Sequence, residues 1–111
     1  MRRAAPLTAA HSHNDYAHAR PLLDALDLGF CSVEADIWRD GDDLLVGHDR
    51  RDLRPERSLD ALYLAPLWER FRRYGHIHPE PAPVTLLVDI KSESDRVLPL
   101  LERALAPYRP M

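Results

Sequence analysis

The stretch Val84–Ser92, "VTLLVDIKS", decides the fold. It is an apolar run broken late by Asp89 and then Lys91. A strand with one wet face alternates, whereas a nearly continuous apolar run suits a strand covered on both faces, the habit of parallel sheets. Parallel neighbours must be joined by crossovers of roughly a dozen residues or more, usually helical. The flanks fit that demand. "SESDRVLPLLERALAPY" (Ser92–Tyr108) places Leu98, Leu101 and Leu105 on one helical face, with Pro99 blurring its start. Upstream, "HIHPEPAPV" is a proline-rich connection. Before it, "LDALYLAPLWERFRRYG" reads as a helix capped by Ser58 and ending near Gly75. Pro66 divides or restarts it, and Leu67, Trp68 and Phe71 form its buried stripe.

The same pattern continues outward. "FCSVEADIW" is a strand with Val33, Ala35 and Ile37 on one side and Ser32, Glu34 and Asp36 on the other. "RPLLDALDLG" is a helix with Pro21 in its first turn, Leu22, Leu23 and Leu26 on its apolar face and Gly29 at its end. Leu7–Ala10 is a short first strand. Asp40-Gly41 marks a turn before "LLVGHD", and the few residues between Asp36 and that strand are too short for a parallel crossover. A hairpin excursion is therefore predicted there. The alternation of strand and helix predicts an α/β fold with a parallel sheet, formed by residues 1–111 as a single domain.

Composition sets outer bounds. The chain has 111 residues, 45% hydrophobic and 30% charged, which suits one soluble globular unit. Its formal net charge is -3 and no basic face is evident, so nucleic acid is not an expected partner. Cys31, the sole cysteine, cannot form an intrachain disulfide and reads as a buried thiol. No apolar run approaches the roughly 20 residues of a membrane span. The opening "MRRAAPLTAA" has too short an apolar part, punctuated by Pro6, to be expected as a signal peptide. The compartment is left open.

The polar residues of interest share one address, the C-terminal ends of predicted strands, where α/β proteins build their sites. Glu34 and Asp36 point to one face and repel unless something positive binds them; a divalent cation would serve, and so would solvent and nearby arginines. Asp89 needs a partner too. It finds one in Lys91, the only lysine, or it joins a metal site and leaves Lys91 for a phosphate or carboxylate. His48 ends a strand and titrates in the range useful for proton transfer. "HSHNDY" (His11–Tyr16) admits three readings: a His11-x-His13 metal pair, a proton-transferring His13 beside the neutral oxygen of Asn14, or a polar loop with Asn14 and Asp15 capping a turn. His18, His76 and His78 lie in loops and carry no assigned role.

In chain order, "HSHNDY", "PLLDAL", "SVEADIW", "DGDDLLVGHD", "LYLAPL" and "LLVDIKS" together resemble the phospholipase C-like phosphodiesterase superfamily. The set is most similar to its glycerophosphodiester phosphodiesterase and altered inheritance of mitochondria protein 6-like branch. "SHNDY" resembles the "SHNTY" of phosphoinositide phospholipases C, and "VEAD" and "GHD" resemble the E-x-D and H-D motifs of glycerophosphodiesterases. The resemblance runs from about His11 to Lys91. It implies a (β/α)8 barrel and a divalent cation, Mg or Ca. It also implies Glu34, Asp36, Asp89 and Asn14 as metal ligands, His13 and His48 as the acid/base pair, and Lys91 on the substrate phosphate. The implied substrate is a phosphodiester small molecule or a lipid headgroup. Asp89 stands where glycerophosphodiesterases usually have glutamate, and Asn14 where they have arginine, which sets this chain apart from strict glycerophosphodiester preference.

Length opposes a complete barrel, which takes about 250 residues. Three βα units plus a hairpin make a partial, unclosed barrel with an open sheet edge, a surface for self-association. The chain is expected to be the N-terminal part of a phosphodiesterase. Two alternatives stand beside that expectation: a non-catalytic truncated remnant or binding module, and an HxH metal hydrolase of the amidohydrolase or PHP type built on His11 and His13.

Overall fold

A computed structural model describes residues 4–79 and 82–111. The basic opening residues 1–3, and 80–81 of the proline-rich connection, lie outside the described residues. The order is β1 (Leu7–Ser12), α1 (Leu23–Asp27), β2 (Phe30–Asp40), β3 (Asp43–Val46), α2 (Ala65–Tyr74), β4 (Thr85–Ile90) and α3 (Ser94–Leu105).

β2 is the axis of an open, mostly parallel sheet. Ser32 and Val33 pair with β1 on one side and β4 on the other. Ile37 pairs with β3 on one side and β4 on the other. β1 and β3 therefore follow one another along one edge of β2, and β4 lines the opposite edge. β3 is the antiparallel hairpin the short spacing required, turning at Gly41 with φ 62°. The architecture is α/β, as the strand–helix alternation predicts.

The helices cover one face. Val33, Ala35 and Ile37 are fully buried there with Leu22 and Leu26 beside them, Tyr63, Leu64 and Leu67 above, and Val97 of α3. Each such side chain contributes about 1.5–3 kcal/mol when taken out of water. Ser58 caps as expected, its Oγ accepting from the Ala61 amide at 3.0 Å. A wide π-type turn over Asp60–Leu64 then leads directly into α2, so Pro66, which has no N–H to give, falls in the first turn and does not split the segment. Trp68 stacks on Phe71 and meets Tyr108 edge-on.

Two packing expectations need correction. In α3 the buried stripe is Val97, with Leu100, Leu101 and Ala104 partly buried; Leu98 is 53% exposed and Leu105 also faces water. The i, i+3, i+4, i+7 set starting at Val97 wins over the set starting at Leu98. β4 is parallel to β2 as predicted but is not covered on both faces. Among the described residues it pairs with β2 alone, and Leu87 is 51% exposed.

The start of β1 depends on Gly29. Its φ is 90°, and a Cβ added there would sit 2.2 Å from the Ala5 carbonyl oxygen. Its own carbonyl accepts from the Leu7 amide at 2.7 Å, which starts β1 alongside β2.

Candidate metal centre

Register brings the acids together. Asp36 of β2 lies opposite Asp89 of β4, so the two carboxylates share a face, and Glu34 is one strand repeat back on the same side. A carboxylate oxygen from each lies within 4.8 Å of the others. Among the described residues this is the single group of three or more histidine, cysteine or acidic side chains able to hold a metal.

Glu34 and Asp36 are buried and Asp89 half-buried. Glu34 Oε1 accepts from the Asn14 main-chain amide at 2.9 Å, and His13 Nε2 stands 3.4 Å from the same oxygen. Asp36 Oδ2 accepts the hydroxyl of Tyr16. Asp89 Oδ2 is held by Lys91 Nζ at 2.9 Å. Asp36 Oδ1, in a residue only 2% exposed, has no hydrogen-bond partner.

The field of the cluster is strongly negative. Lys91 is raised above the ordinary lysine range, first by its hydrogen bond to Asp89 and then by the charges of Asp36, Asp89 and Glu34. The phenol of Tyr16 is pushed far above its usual range, by burial first, then by its bond to Asp36 and the three carboxylates. A cation with oxygen ligands fits such a set. The partnerless buried Oδ1 of Asp36 is a donor that the chain itself leaves unused.

The loop after β1 is shaped to reach this cluster. Asn14 adopts left-handed backbone angles, φ 48° and ψ 47°, with its amide on Glu34 and its Oδ1 3.3 Å from the Tyr16 hydroxyl. Asp15 points the other way, fully buried, accepting from Ser12 Oγ, the Leu22 amide and the Tyr63 hydroxyl. His11 and His13 do share the open face. His11 Nδ1 is 2.6 Å from Ser32 Oγ, and His13 is largely exposed beside Glu34.

His48 follows β3 and is exposed. Gly47 before it is fixed from both sides: its amide donates to the Asp36 carbonyl at 3.2 Å, and its carbonyl accepts from Trp38 Nε1 at 2.9 Å. His48 therefore emerges at the same end of β2 as Asp36, lining a 220 Å3 cavity with Tyr16 and Arg57. A mainly apolar cavity of 480 Å3 lies at the other end of the sheet, around Leu67, Phe71 and Val84. The candidate chemistry is not there.

Two contributors escaped the sequence reading. Tyr16 ends "HSHNDY" with nothing local to give it a role, and Asp15 reads there only as a turn cap. The signal for Tyr16 was indirect: a buried Asp36 requires a donor, and the nearby loop carries a hydroxyl.

The whole chain, residues 1–111, matches the family described as AIM6-like phosphodiesterase domain. It is 41% identical over 100 residues to altered inheritance of mitochondria protein 6 of Eremothecium gossypii, covering 78% of this chain and 26% of the relative. It is 31% identical over 119 residues to the homolog in Arthroderma benhamiae, covering 89% of this chain and 38% of the relative. The Kluyveromyces lactis protein is 50% identical over 62 residues, covering 53% of this chain and 15% of its own length. The chain thus spans well under half the length of these relatives, and no solved structure matches it. On the match along its full length, the chain belongs to the AIM6-like phosphodiesterase domain family.

Proposed function

We propose that this chain carries the metal-holding part of a phosphoric diester hydrolase acting on a glycerophosphodiester or phospholipid-like substrate. The observation that carries the reading is the buried, partnerless Oδ1 of Asp36 in register with Asp89 and beside Glu34. Glu34, Asp36, Asp89 and the side chain of Asn14 would hold a divalent cation, Mg or Ca, whose charge stabilises a phosphodiester oxygen as negative charge builds on it.

The remaining work falls to the chain's own groups. His13, exposed and beside Glu34, takes the proton from a substrate hydroxyl next to the phosphate. That oxygen bonds to phosphorus as the bond to the departing oxygen breaks, and His48 gives the departing oxygen a proton. This step gives a cyclic phosphodiester and an alcohol. Water then adds to phosphorus as one ring P–O bond breaks, with His48 taking the water's proton and His13 returning one to the departing ring oxygen, which completes the hydrolysis. Lys91 contacts the phosphate.

The parallel strands are, in this reading, the opening part of a (β/α)8 barrel. The outer edge of β4 is where self-association occurs in the isolated chain, because Leu87 and an unpaired strand edge face water there. No helix among the described residues is long and apolar enough to cross a membrane.

The test has two stages. Magnesium and calcium chloride are titrated calorimetrically into the chain, with the Asp36→Asn variant as control. Glycerophosphocholine, which has a free hydroxyl beside its phosphate, is then the turnover probe, with cyclic glycerophosphate scored by phosphorus NMR. Metal binding lost in Asp36→Asn, with turnover lost but binding kept in His13→Ala and His48→Ala, supports the reading. Binding that collapses in His13→Ala transfers the centre to a histidine pair. Binding without turnover leaves a non-catalytic module, the second reading.

A further inference from the structure

Each carboxylate of the cluster has one oxygen taken by a donor from the chain. Glu34 Oε1 is held by the Asn14 amide, Asp36 Oδ2 by the Tyr16 hydroxyl and Asp89 Oδ2 by Lys91 Nζ. The second oxygen of Asp36, Oδ1, is buried without a partner. We infer that these three donors, Tyr16 foremost, restrict each acid to a single ligand oxygen and thereby select Mg2+ over Ca2+. The inference rests on the reading of Glu34, Asp36 and Asp89 as the metal centre.

Ion chemistry supplies the link. Ca2+ takes six to eight oxygens and readily uses carboxylates through both oxygens at once. Mg2+ demands six in a near-ideal octahedron, binds carboxylates through one oxygen and keeps several waters. Three acids limited to one oxygen apiece, with the Asn14 side chain, supply four positions of a six-fold shell and leave the rest to water or substrate. They fall further short of a seven- or eight-fold one.

The three restraints differ in firmness. Tyr16 is buried, its carbonyl is gripped by Arg57 Nη2 at 2.7 Å, and the neighbouring Asp15 is anchored by three donors. With the loop fixed, its hydroxyl stays between Asp36 Oδ2 and the more distant Asn14 Oδ1 at 3.3 Å. The Asn14 amide is main chain and fixed by the same loop. Lys91 and Asp89 are partly exposed, so their pair can open. Tyr16 is therefore a positioning residue: it acts on the metal through Asp36. Tyr16→Phe frees Oδ2 while keeping the ring, and Lys91→Met frees the second oxygen of Asp89 at the surface.

The experiment is calorimetric titration of the 111-residue chain with magnesium chloride and, separately, calcium chloride, for the parent, Tyr16→Phe and Lys91→Met. Circular dichroism confirms folding of each. The parent is expected to bind Mg2+ more tightly. Tyr16→Phe is expected to move the Mg2+/Ca2+ affinity ratio toward Ca2+ by about tenfold or more, the scale on which partners of metal ligands act, and Lys91→Met by less. A parent that prefers Ca2+ overturns the inference, as does an unchanged ratio in folded Tyr16→Phe. If Tyr16→Phe does not fold, Lys91→Met decides: a shift toward Ca2+ supports the inference and an unchanged ratio overturns it. A parent that binds neither ion overturns the metal centre, and this inference with it.

Discussion

Tyr63 gives its hydroxyl to Asp15 Oδ2 at 2.8 Å, tying the loop that bears His13 and Asn14 to the helical segment ahead of α2. Both residues are fully buried, and burial, then the charge of Asp15, pushes the Tyr63 phenol well above its usual range. Tyr63→Phe removes one of three donors to Asp15 and should cost about 1–2 kcal/mol in urea denaturation. Asp15→Ala leaves Ser12 Oγ, the Leu22 amide and Tyr63 without their acceptor, and should cost more, about 3–5 kcal/mol. Equal losses in the two variants would mean that the other two donors find water.

Gly29→Ala should destabilise the chain by at least about 2 kcal/mol. The new Cβ meets a carbonyl oxygen at 2.2 Å, and φ 90° is a conformation that alanine avoids. Denaturant midpoints measure the loss. A variant as stable as the parent would show that β1 can detach from the start of β2 at no cost.

Asp36→Asn should separate fold from site. Without metal it removes one of three crowded negative charges while keeping an oxygen for the Tyr16 hydroxyl. The metal-free variant should be at least as stable as the parent, by up to about 1 kcal/mol. Added Mg2+ should raise the melting temperature of the parent but not of the variant, because only a folded-state binder stabilises. A clear loss of metal-free stability would assign Asp36 to the scaffold.

Tyr16 and Tyr63 both hold their protons more tightly folded than unfolded. In the unfolded chain they ionise near 10.0; in the folded chain they ionise higher. Their contribution is thus complete below pH 10 and falls away as pH rises above it. Thermal melts should show stability dropping between about pH 10 and 12. The drop should shrink in Tyr63→Phe, which removes one of the two groups. A flat profile there would contradict the raised phenols.

Leu87→Lys should suppress concentration-dependent association of the isolated chain. Leu87 is half in water on a strand whose outer edge makes no pairing among the described residues, and a charge there is the usual protection of such edges. Light scattering at increasing concentration checks it; identical association in parent and variant would move the contact elsewhere.

How far the sequence reads depends on the residue. Glu34 and Asp36 are legible because a two-residue spacing on a strand fixes their common face. Asp89 is legible as a charge late in an apolar strand, but its place opposite Asp36 is not, because parallel pairing alone fixes neither the neighbour nor the register. The burial of β4 is not legible, because a continuous apolar strand reports what would cover it, not what does. In α3, Leu98 and Leu105 read as inward because leucine is the obvious apolar residue, while Val97 sets the true phase. Tyr16 was hidden because its role depends on a loop conformation, with Asn14 at positive φ, that local composition does not specify.

β2 also has a kinetic consequence. It is the one strand that pairs with each of the other three, so no two of the others can dock without it. The hairpin with β3 closes a short loop and forms cheaply; the alignment of Asp36 with Asp89 closes a far longer one. Aligning the acids is therefore the costlier closure, and a bound cation would hold the longer of the two loops shut.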